Sequence, residues 1–377
     1  MNFTLLHTYV LIILLSIFLV LNKTNKRNIF ISILINIILL LSTLLHTVLN
    51  SGGLERISWG SYLPFLALSL LYPISFLKIE YNFAVLRKLF LLINLLNIIV
   101  GILIVYQSFF VKLFFINHFS MGYPELVSNM LAFDKPVNVF GSHAIASNFF
   151  FLLFYMSYQT FIHTKSKFSL SLALADLYLI ANLKSVSSYI LLLIGVILIF
   201  VHLVREYRFF KVVGLPIAAI FSAVYVYNPS SAIRSVFNSK NNGFLGRYSN
   251  DGVFADTISY ITHNLLPVGL WYSEDFFVTD SGYIVYFLKG SIFMVAAIYI
   301  GLFFLMRHNI SNRRIANSLF VIFCMFEVGY PMLTFHRMLC ILPFVMIYLN
   351  NLEKVEVTEK QPVKISSAKK LLSQHGS

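Results

Sequence analysis

Three groups of residues in this chain have the types and spacing to do chemistry on a charged substrate. The first is a polar stretch, about 228–282, that opens with spaced cations (Arg234, Lys240, Arg247) and closes with acids (Glu274, Asp275, Asp280). A guanidinium fork grips phosphate oxygens bidentately and stays charged at any physiological pH, so Arg234 and Arg247 are candidate anion ligands. Their competing use is pairing within the stretch, which holds three basic and five acidic residues. The second group is His336-Arg337, on a tight connection between two apolar runs, where Arg337 either lines a cavity or snorkels to lipid phosphate. The third is the acids placed inside apolar runs, Asp176 and Glu327. Such carboxylates are costly, face the interior and keep partners. Asp176 has Lys184 about two helical turns away as a structural partner. Glu327 opens toward the same end as His336 and is the better functional candidate. His143, in Gly-Ser-His-Ala, stands at a helix start, where histidine more often serves structure. A general base for activating a hydroxyl must come within hydrogen-bond reach of its proton. Asp256, His263, Glu274, Asp275, Asp280, Glu327 and His336 qualify by type, and spacing alone does not choose among them.

These residues are carried by a chain built for a bilayer. Of 377 residues, 58% are hydrophobic and 11% charged, with mean hydropathy +0.81; soluble domains carry about a quarter charged residues. Apolar runs near the 20 or so residues that cross about 30 Å of hydrocarbon recur throughout. Eleven are read, at about 4–21, 29–49, 60–77, 89–114, 143–162, 168–183, 187–204, 212–227, 283–306, 315–333 and 337–350. The first lacks a basic leader and a small-residue cleavage site, and is read as a span rather than a signal peptide. The expected fold is an all-α polytopic membrane protein of about eleven transmembrane helices, within a range of ten to twelve. Residues 1–227 hold eight spans and an external loop at about 116–141; 228–282 form the long loop; 283–350 hold three spans; 351–377 form a charged tail expected to be disordered.

The net charge of +13 reports topology, not nucleic-acid binding. Alternate connections carry Lys23, Lys26 and Arg27; Lys78, Arg87 and Lys88; Lys165 and Lys167; Arg205, Arg208 and Lys211; and Arg307, Arg313 and Arg314. The tail adds Lys354, Lys360, Lys364, Lys369 and Lys370, so 19 of the 28 basic residues lie on one side. By the positive-inside rule that side is cytoplasmic, which puts the long loop and the N-terminus outside. Cys324 and Cys340 fall inside spans and offer neither a disulfide framework nor metal spacing. Within the long loop, Phe254, Ile258, Ile261 and Leu265 form one helical stripe, with Asp256, Ser259 and His263 on the opposite face. A short amphipathic helix is expected there, Asp256 and His263 being either functional groups or its solvated face.

The arrangement resembles the O-antigen polymerase and O-antigen ligase superfamily of bacterial envelope glycan assembly. The residues that carry the likeness are Gly246-Arg247-Tyr248 before a short helix reaching His263, the turn Pro267-Val268-Gly269, and Asp280-Ser281-Gly282-Tyr283 leading into a span with Gly290. The resemblance implies a GT-C-like, metal-independent glycosyltransferase without cofactor, in the bacterial inner membrane with its active face periplasmic. Its partners would be undecaprenyl-pyrophosphate-linked oligosaccharides as donor and acceptor, with room for a chain-length regulator and no role for nucleic acid. By position Arg234 and Arg247, with Arg337, would hold the pyrophosphate. Arg247, His336, Asp280, His263 and Glu327 would serve catalysis, His263 and His336 being the counterparts of a late histidine in the ligase branch. A polymerase is the leading expectation. A ligase that joins polymer to the lipid A core, and a lipid-linked oligosaccharide flippase, are the alternatives. A flippase would show discontinuous helices or repeated halves with cations deep in several spans; here the charges cluster at one face and no repeat is evident.

Overall fold

The computed structural model describes residues 3–21, 24–50, 53–75, 82–119, 124–206, 255–264, 266–271 and 281–360. Among these residues there are thirteen α-helices, several 3-10 turns and one isolated bridge, Ile57 to Trp271. The helices are α1 Phe3–Leu21, α2 Lys26–Leu49, α3 Leu63–Leu71, α4 Phe83–Val105, α5 Phe109–Phe119, α6 Pro124–Ala132 and α7 His143–Thr164. They continue with α8 Lys167–Asn182, α9 Val186–Glu206, α10 Ala255–Asn264, α11 Gly282–Asn309, α12 Arg313–Gly329 and α13 His336–Lys360. Five (α2, α4, α7, α9 and α11) are long and apolar enough to cross a membrane, α11 when its two arms, described below, are taken end to end. The protein is therefore an all-α, multi-pass membrane protein.

Hydropathy and burial run in opposite directions across these helices, and that identifies the centre of the bundle. Central α7 has the lowest mean hydropathy of the five, 1.2, yet 83% of its apolar window is buried. Peripheral α9 reaches 2.5 with 17% buried. A helix facing lipid must be apolar on its outside, whereas one surrounded by protein can carry polar groups that bond its neighbours. On α7, Tyr158 donates to the Leu198 carbonyl (2.9 Å) and Thr160 meets the Tyr348 hydroxyl (2.7 Å). Ser157 accepts from Asn94 of α4 (3.0 Å).

The same asparagine corrects the expected partner of Asp176. Asn94 Nδ2 also donates to Asp176 Oδ2 at 3.0 Å, and Asn94, Ser157 and Asp176 are all fully buried. The carboxylate is thus bonded across helices to α4, not along its own helix to Lys184, which lies beyond the end of α8.

At one end of the bundle, here the cation end, three helices start on asparagine caps. Asn25 accepts from the Arg27 amide, Asn82 from Ala84 and Val85, and Asn312 from Arg314 and Ile315. Cations in a first turn oppose the helix dipole, so Lys26, Arg27, Arg313 and Arg314 stand there for a reason other than helix stability.

Several expected boundaries change. The run 89–114 is two helices, because α4 ends at Tyr106 with Gln107 in the left-handed region (φ 64°). The Ser108 amide returns to the Leu103 carbonyl (2.8 Å) and the Gln107 amide to Ile104 (3.0 Å), a Schellman termination built without glycine. The run 60–77 yields only the nine-residue α3 after a 3-10 turn at Trp59–Tyr62. The run 212–227 lies outside the described residues. Helix α13 continues to Lys360, and the rest of the tail lies outside the described residues.

The largest correction concerns 283–306, read as one straight span. Gly290 (φ −160°, ψ 26°) and Ser291 (φ 61°, ψ −165°) interrupt α11, and the chain reverses there. Tyr283 and Tyr299 stack with ring centroids 5.0 Å apart, and Tyr286 lies 6.3 Å from Tyr299. Sixteen residues of straight helix would separate Tyr283 from Tyr299 by about 24 Å. The element is a helical hairpin: a short arm, 282–289, packed against a long arm, 292–309. A side chain at Gly290 would meet Met294 at 2.6 Å and Ile38 of α2 at 2.7 Å, so the reversal depends on glycine.

The turn Pro267–Trp271 docks onto this hairpin and onto α2. The Val268 amide donates to the Leu288 carbonyl (2.6 Å), the Leu270 amide to Thr43 Oγ1 (2.8 Å), and the Ser58 amide to the Leu270 carbonyl (2.9 Å). Trp271 meets the His46 ring edge-on at 4.7 Å, with the Arg56 guanidinium 5.4 Å from its ring. Gly269 is left-handed (φ 64°), and a methyl group on it would fall 2.5 Å from the Thr43 backbone.

Two outcomes are expected. Gly269→Ala pays the left-handed penalty of about 1–2 kcal/mol plus the clash with α2, and lowers the melting temperature in detergent. Gly60→Ala, with open space around it, leaves that temperature unchanged. In a background with Cys324 and Cys340 replaced by serine, Tyr283→Cys and Tyr299→Cys together are bridged by a short bifunctional thiol reagent. A straight helix would leave them unbridged.

Candidate active site

The site is assembled at the end of the bundle opposite the cation end. Its floor is Glu327, two residues before the end of α12 and 0% exposed. Glu327 Oε1 accepts from the Leu333 amide at 2.6 Å, across the 3-10 turn Met332–Thr334. Its other oxygen, Oε2, points at the start of the short arm of α11. A methyl group on Gly282 would lie 1.7 Å from it, so glycine is what admits the carboxylate. Ser281 precedes that arm without capping it through its side chain. First-turn amides left free at a helix start favour an anion, and Glu327 stands where a cap would.

Tyrosines surround the carboxylate. Tyr283 donates to the Cys324 carbonyl (2.8 Å) and Tyr72 to the Ile298 carbonyl (2.7 Å), so both hydroxyls are used. The Tyr286 and Tyr299 hydroxyls and Glu327 Oε2 are buried without a hydrogen bond of good geometry. Tyr286 lies beside the carboxylate and beside Thr334, close enough to interact with both. An acid with one committed oxygen, one open oxygen and phenols around it can accept a proton and pass it on.

Glu327 also fixes the connection that bears the basic pair. Holding Leu333 sets the turn from which His336 begins α13, its ring 4.9 Å from that of Phe335. Arg337 Nη1 donates to the Val139 carbonyl, and its guanidinium lies 6.0 Å from the Phe335 ring. One guanidinium nitrogen is therefore spent on the 3-10 turn Asn138–Phe140. With 17 residues, α12 rises about 25 Å at 1.5 Å per residue, so this connection is set no higher than the ends of its longer neighbours.

The other sequence candidates fall elsewhere. His263 closes α10, exposed, with Nδ1 2.7 Å from the Ser259 carbonyl of its own helix; Asp256 is exposed on the same element. On α10 the most buried residue is Thr257 at 1%, while Ile258 and Ile261 are half-buried. His143 Nδ1 lies 3.4 Å from Met130 Sδ at the start of α7. Arg234, Arg247, Glu274, Asp275 and Asp280 lie outside the described residues. Of the candidates, Glu327 is bonded to Leu333, three residues before His336 and four before Arg337. Gly282 and the tyrosines were missed as site residues, although Asp280-Ser281-Gly282-Tyr283 had drawn notice as a motif.

Comparison of the chain with protein-family models, with curated proteins and with solved structures returned no match.

Glu327→Ala removes the acceptor for the Leu333 amide and costs about 1–3 kcal/mol for the unsatisfied donor, seen as a lower melting temperature. Glu327→Gln keeps a carbonyl oxygen there and is expected to melt close to the wild type. If both variants melt alike, the carboxylate does not hold the turn.

Proposed function

We propose that this protein is a membrane glycosyltransferase that polymerises undecaprenyl-pyrophosphate-linked oligosaccharide repeat units into O-antigen or a related surface polysaccharide. The observation that carries the reading is Glu327, a buried carboxylate flanked by Tyr286 and joined through Leu333 to the connection bearing His336 and Arg337. In the reaction an acceptor hydroxyl oxygen bonds to the donor's anomeric carbon as the bond from that carbon to pyrophosphate breaks. The hydroxyl proton goes to a base and the bonding pair leaves with pyrophosphate. Glu327 supplies the base, and cations at the same end stabilise the charge that grows on the leaving group. Arg234, Arg247 and Asp280 keep the roles that the resemblance gives them.

A second reading, transport of the lipid-linked oligosaccharide, is favoured by the interrupted α11. A discontinuous helix whose free amide end meets a polar group inside the bundle, with the half-buried Lys289 next to the reversal, is an arrangement that transporters use.

The surface-glycan profile of a deletion strain separates these readings. Polymerase activity leaves a single repeat unit on the lipid core, with the ladder restored by the wild-type gene and not by Glu327→Gln. Bare core with polymer held on its lipid carrier indicates a ligase. Repeat units retained on the cytoplasmic leaflet indicate transport, and an unchanged profile removes the polymerase reading.

A further inference from the structure

At the same end of the bundle, three segments distant in sequence meet around two lysines that the mechanism above does not use. Gly101 of α4 rests on Leu179 of α8, where a methyl group would lie 2.7 Å from the Leu179 side chain. Just past α4, Gln107 donates to Asp134 (3.2 Å), and Lys112 of α5 pairs with the same carboxylate. These contacts carry the next residue, Lys135, to the end of α8, where Lys184 sits. The α12 end closes the third side, since a methyl group on Gly329 would lie 3.6 Å from Ser187 Cβ. Arg337 completes the ring through its bond to the Val139 carbonyl, four residues after Lys135.

The charges here do not cancel. Asp134 is taken by Lys112 and Gln107, and the other ion pair among the described residues, Lys165 with Glu206, belongs to the cation end. Lys135 is half-buried, and burial together with the charge of Lys184 pushes its ammonium below the ordinary lysine range. An anion placed against the half-buried Lys135 would offset the cost of keeping its ammonium charged. The backbone adds a further sign. Lys184 occupies a left-handed position (φ 50°) just after α8, where glycine would sit at lower cost. The start of α9 is not the anion ligand, because Ser185 Oγ already accepts from the Ser188 amide (3.2 Å) and Ser188 Oγ from the Ser185 amide (2.9 Å).

We propose that Lys135 and Lys184, with Arg337 at their edge, form a binding site for a phosphate or diphosphate anion, and that its ligand is the diphosphate of the lipid-linked substrate. The site rests on the glycosyltransferase reading for the identity of that substrate, but not for its affinity for the anion. The lysines and Arg337 stand near the end of the bundle, the depth at which a lipid-borne headgroup would be presented.

The test uses the full-length protein in nanodiscs of uncharged phospholipid, with inorganic pyrophosphate and geranylgeranyl pyrophosphate as probes. Wild-type protein is expected to bind both, the prenylated probe more tightly, with affinity falling as salt is raised. Lys135→Gln and Lys184→Gln each weaken both probes several-fold, and the double variant more than either. Lys165→Gln, at the cation end, changes neither. Lys184→Gly guards against misfolding: it relieves the left-handed backbone and melts no lower than wild type, yet it weakens binding. Lysine variants that bind both probes as wild type does would overturn the proposal. Equal affinity for the two probes would limit the site to free anions and overturn the lipid assignment. Weakened binding combined with a normal glycan ladder in the lysine variants would keep the anion site and remove its assignment to the lipid-linked substrate. An unchanged ladder in the deletion strain would instead remove the polymerase reading and leave the measured anion binding standing, so the two failures are distinguishable.

Discussion

In an apolar interior every backbone group released from a helix must find its partner within the protein, and the architecture of this site follows from how that requirement is met at α11. The reversal at Gly290–Ser291 takes carbonyls of the short arm out of a continuous helix. One of them, Leu288, is bonded by the Val268 amide. That single bond places the Pro267–Trp271 turn of the long loop against the bundle, and Gly269 and Leu270 then dock on Thr43. The partner of a broken transmembrane helix is thus a segment of the loop. The docked turn and the hairpin are one structural unit, and neither could shift without exposing polar backbone to hydrocarbon.

The two buried carboxylates show how the same costly group serves different ends. Asp176 lies deep between α4, α7 and α8, bonded by an amide that also serves Ser157, so three helices share one polar knot. Such a knot fixes packing and offers little to a substrate. Glu327 instead stands where a helix starts, a helix ends and a turn crosses, with tyrosines of α11 beside it. Displacing it would move the start of α11, the turn at Met332–Thr334 and the first residues of α13 together. A carboxylate so placed transmits position among the segments that a substrate would meet, which is why its open oxygen carries more weight than that of Asp176.

Much of the fold was legible in the sequence because membrane burial writes a simple signal. Apolar runs, the one-sided distribution of lysine and arginine, and the stripe at Ile258 and Ile261 all report local or segment-scale constraints, and helices stand at most of those places. What was not legible is non-local or backbone-encoded. Gln107 ends α4 through a Schellman pattern with no glycine or proline to announce it. Lys289-Gly290-Ser291 looks like a tolerated glycine until packing against Ile38 and Met294 turns it into a reversal. The partner of Asp176 is 82 residues away, beyond what local spacing reports, whereas Lys184 is only two turns along the chain. At the site, the acid was visible by its cost in a span, but the tyrosines around it look like ordinary membrane aromatics until the hairpin folds them inward.

The charge distribution contains a further constraint. At the cation end, arginine and lysine occupy first turns where the dipole opposes them, and asparagine caps compensate. There the membrane, not the helix, dictates the residue. At the opposite end that pressure acts against cations, so each one retained needs a local reason. Arg56 lies against Trp271 and helps hold the docked turn; Lys112 pairs with Asp134 and ties α5 down; Arg337 bonds the 138–140 turn. Among the described residues Lys135 and Lys184 take part in neither ion pair, and burial with the charge of Lys184 pushes the Lys135 ammonium below the ordinary lysine range. A protein stabilised only for folding would lose one of them, and keeping both is the arrangement expected where an anion is received.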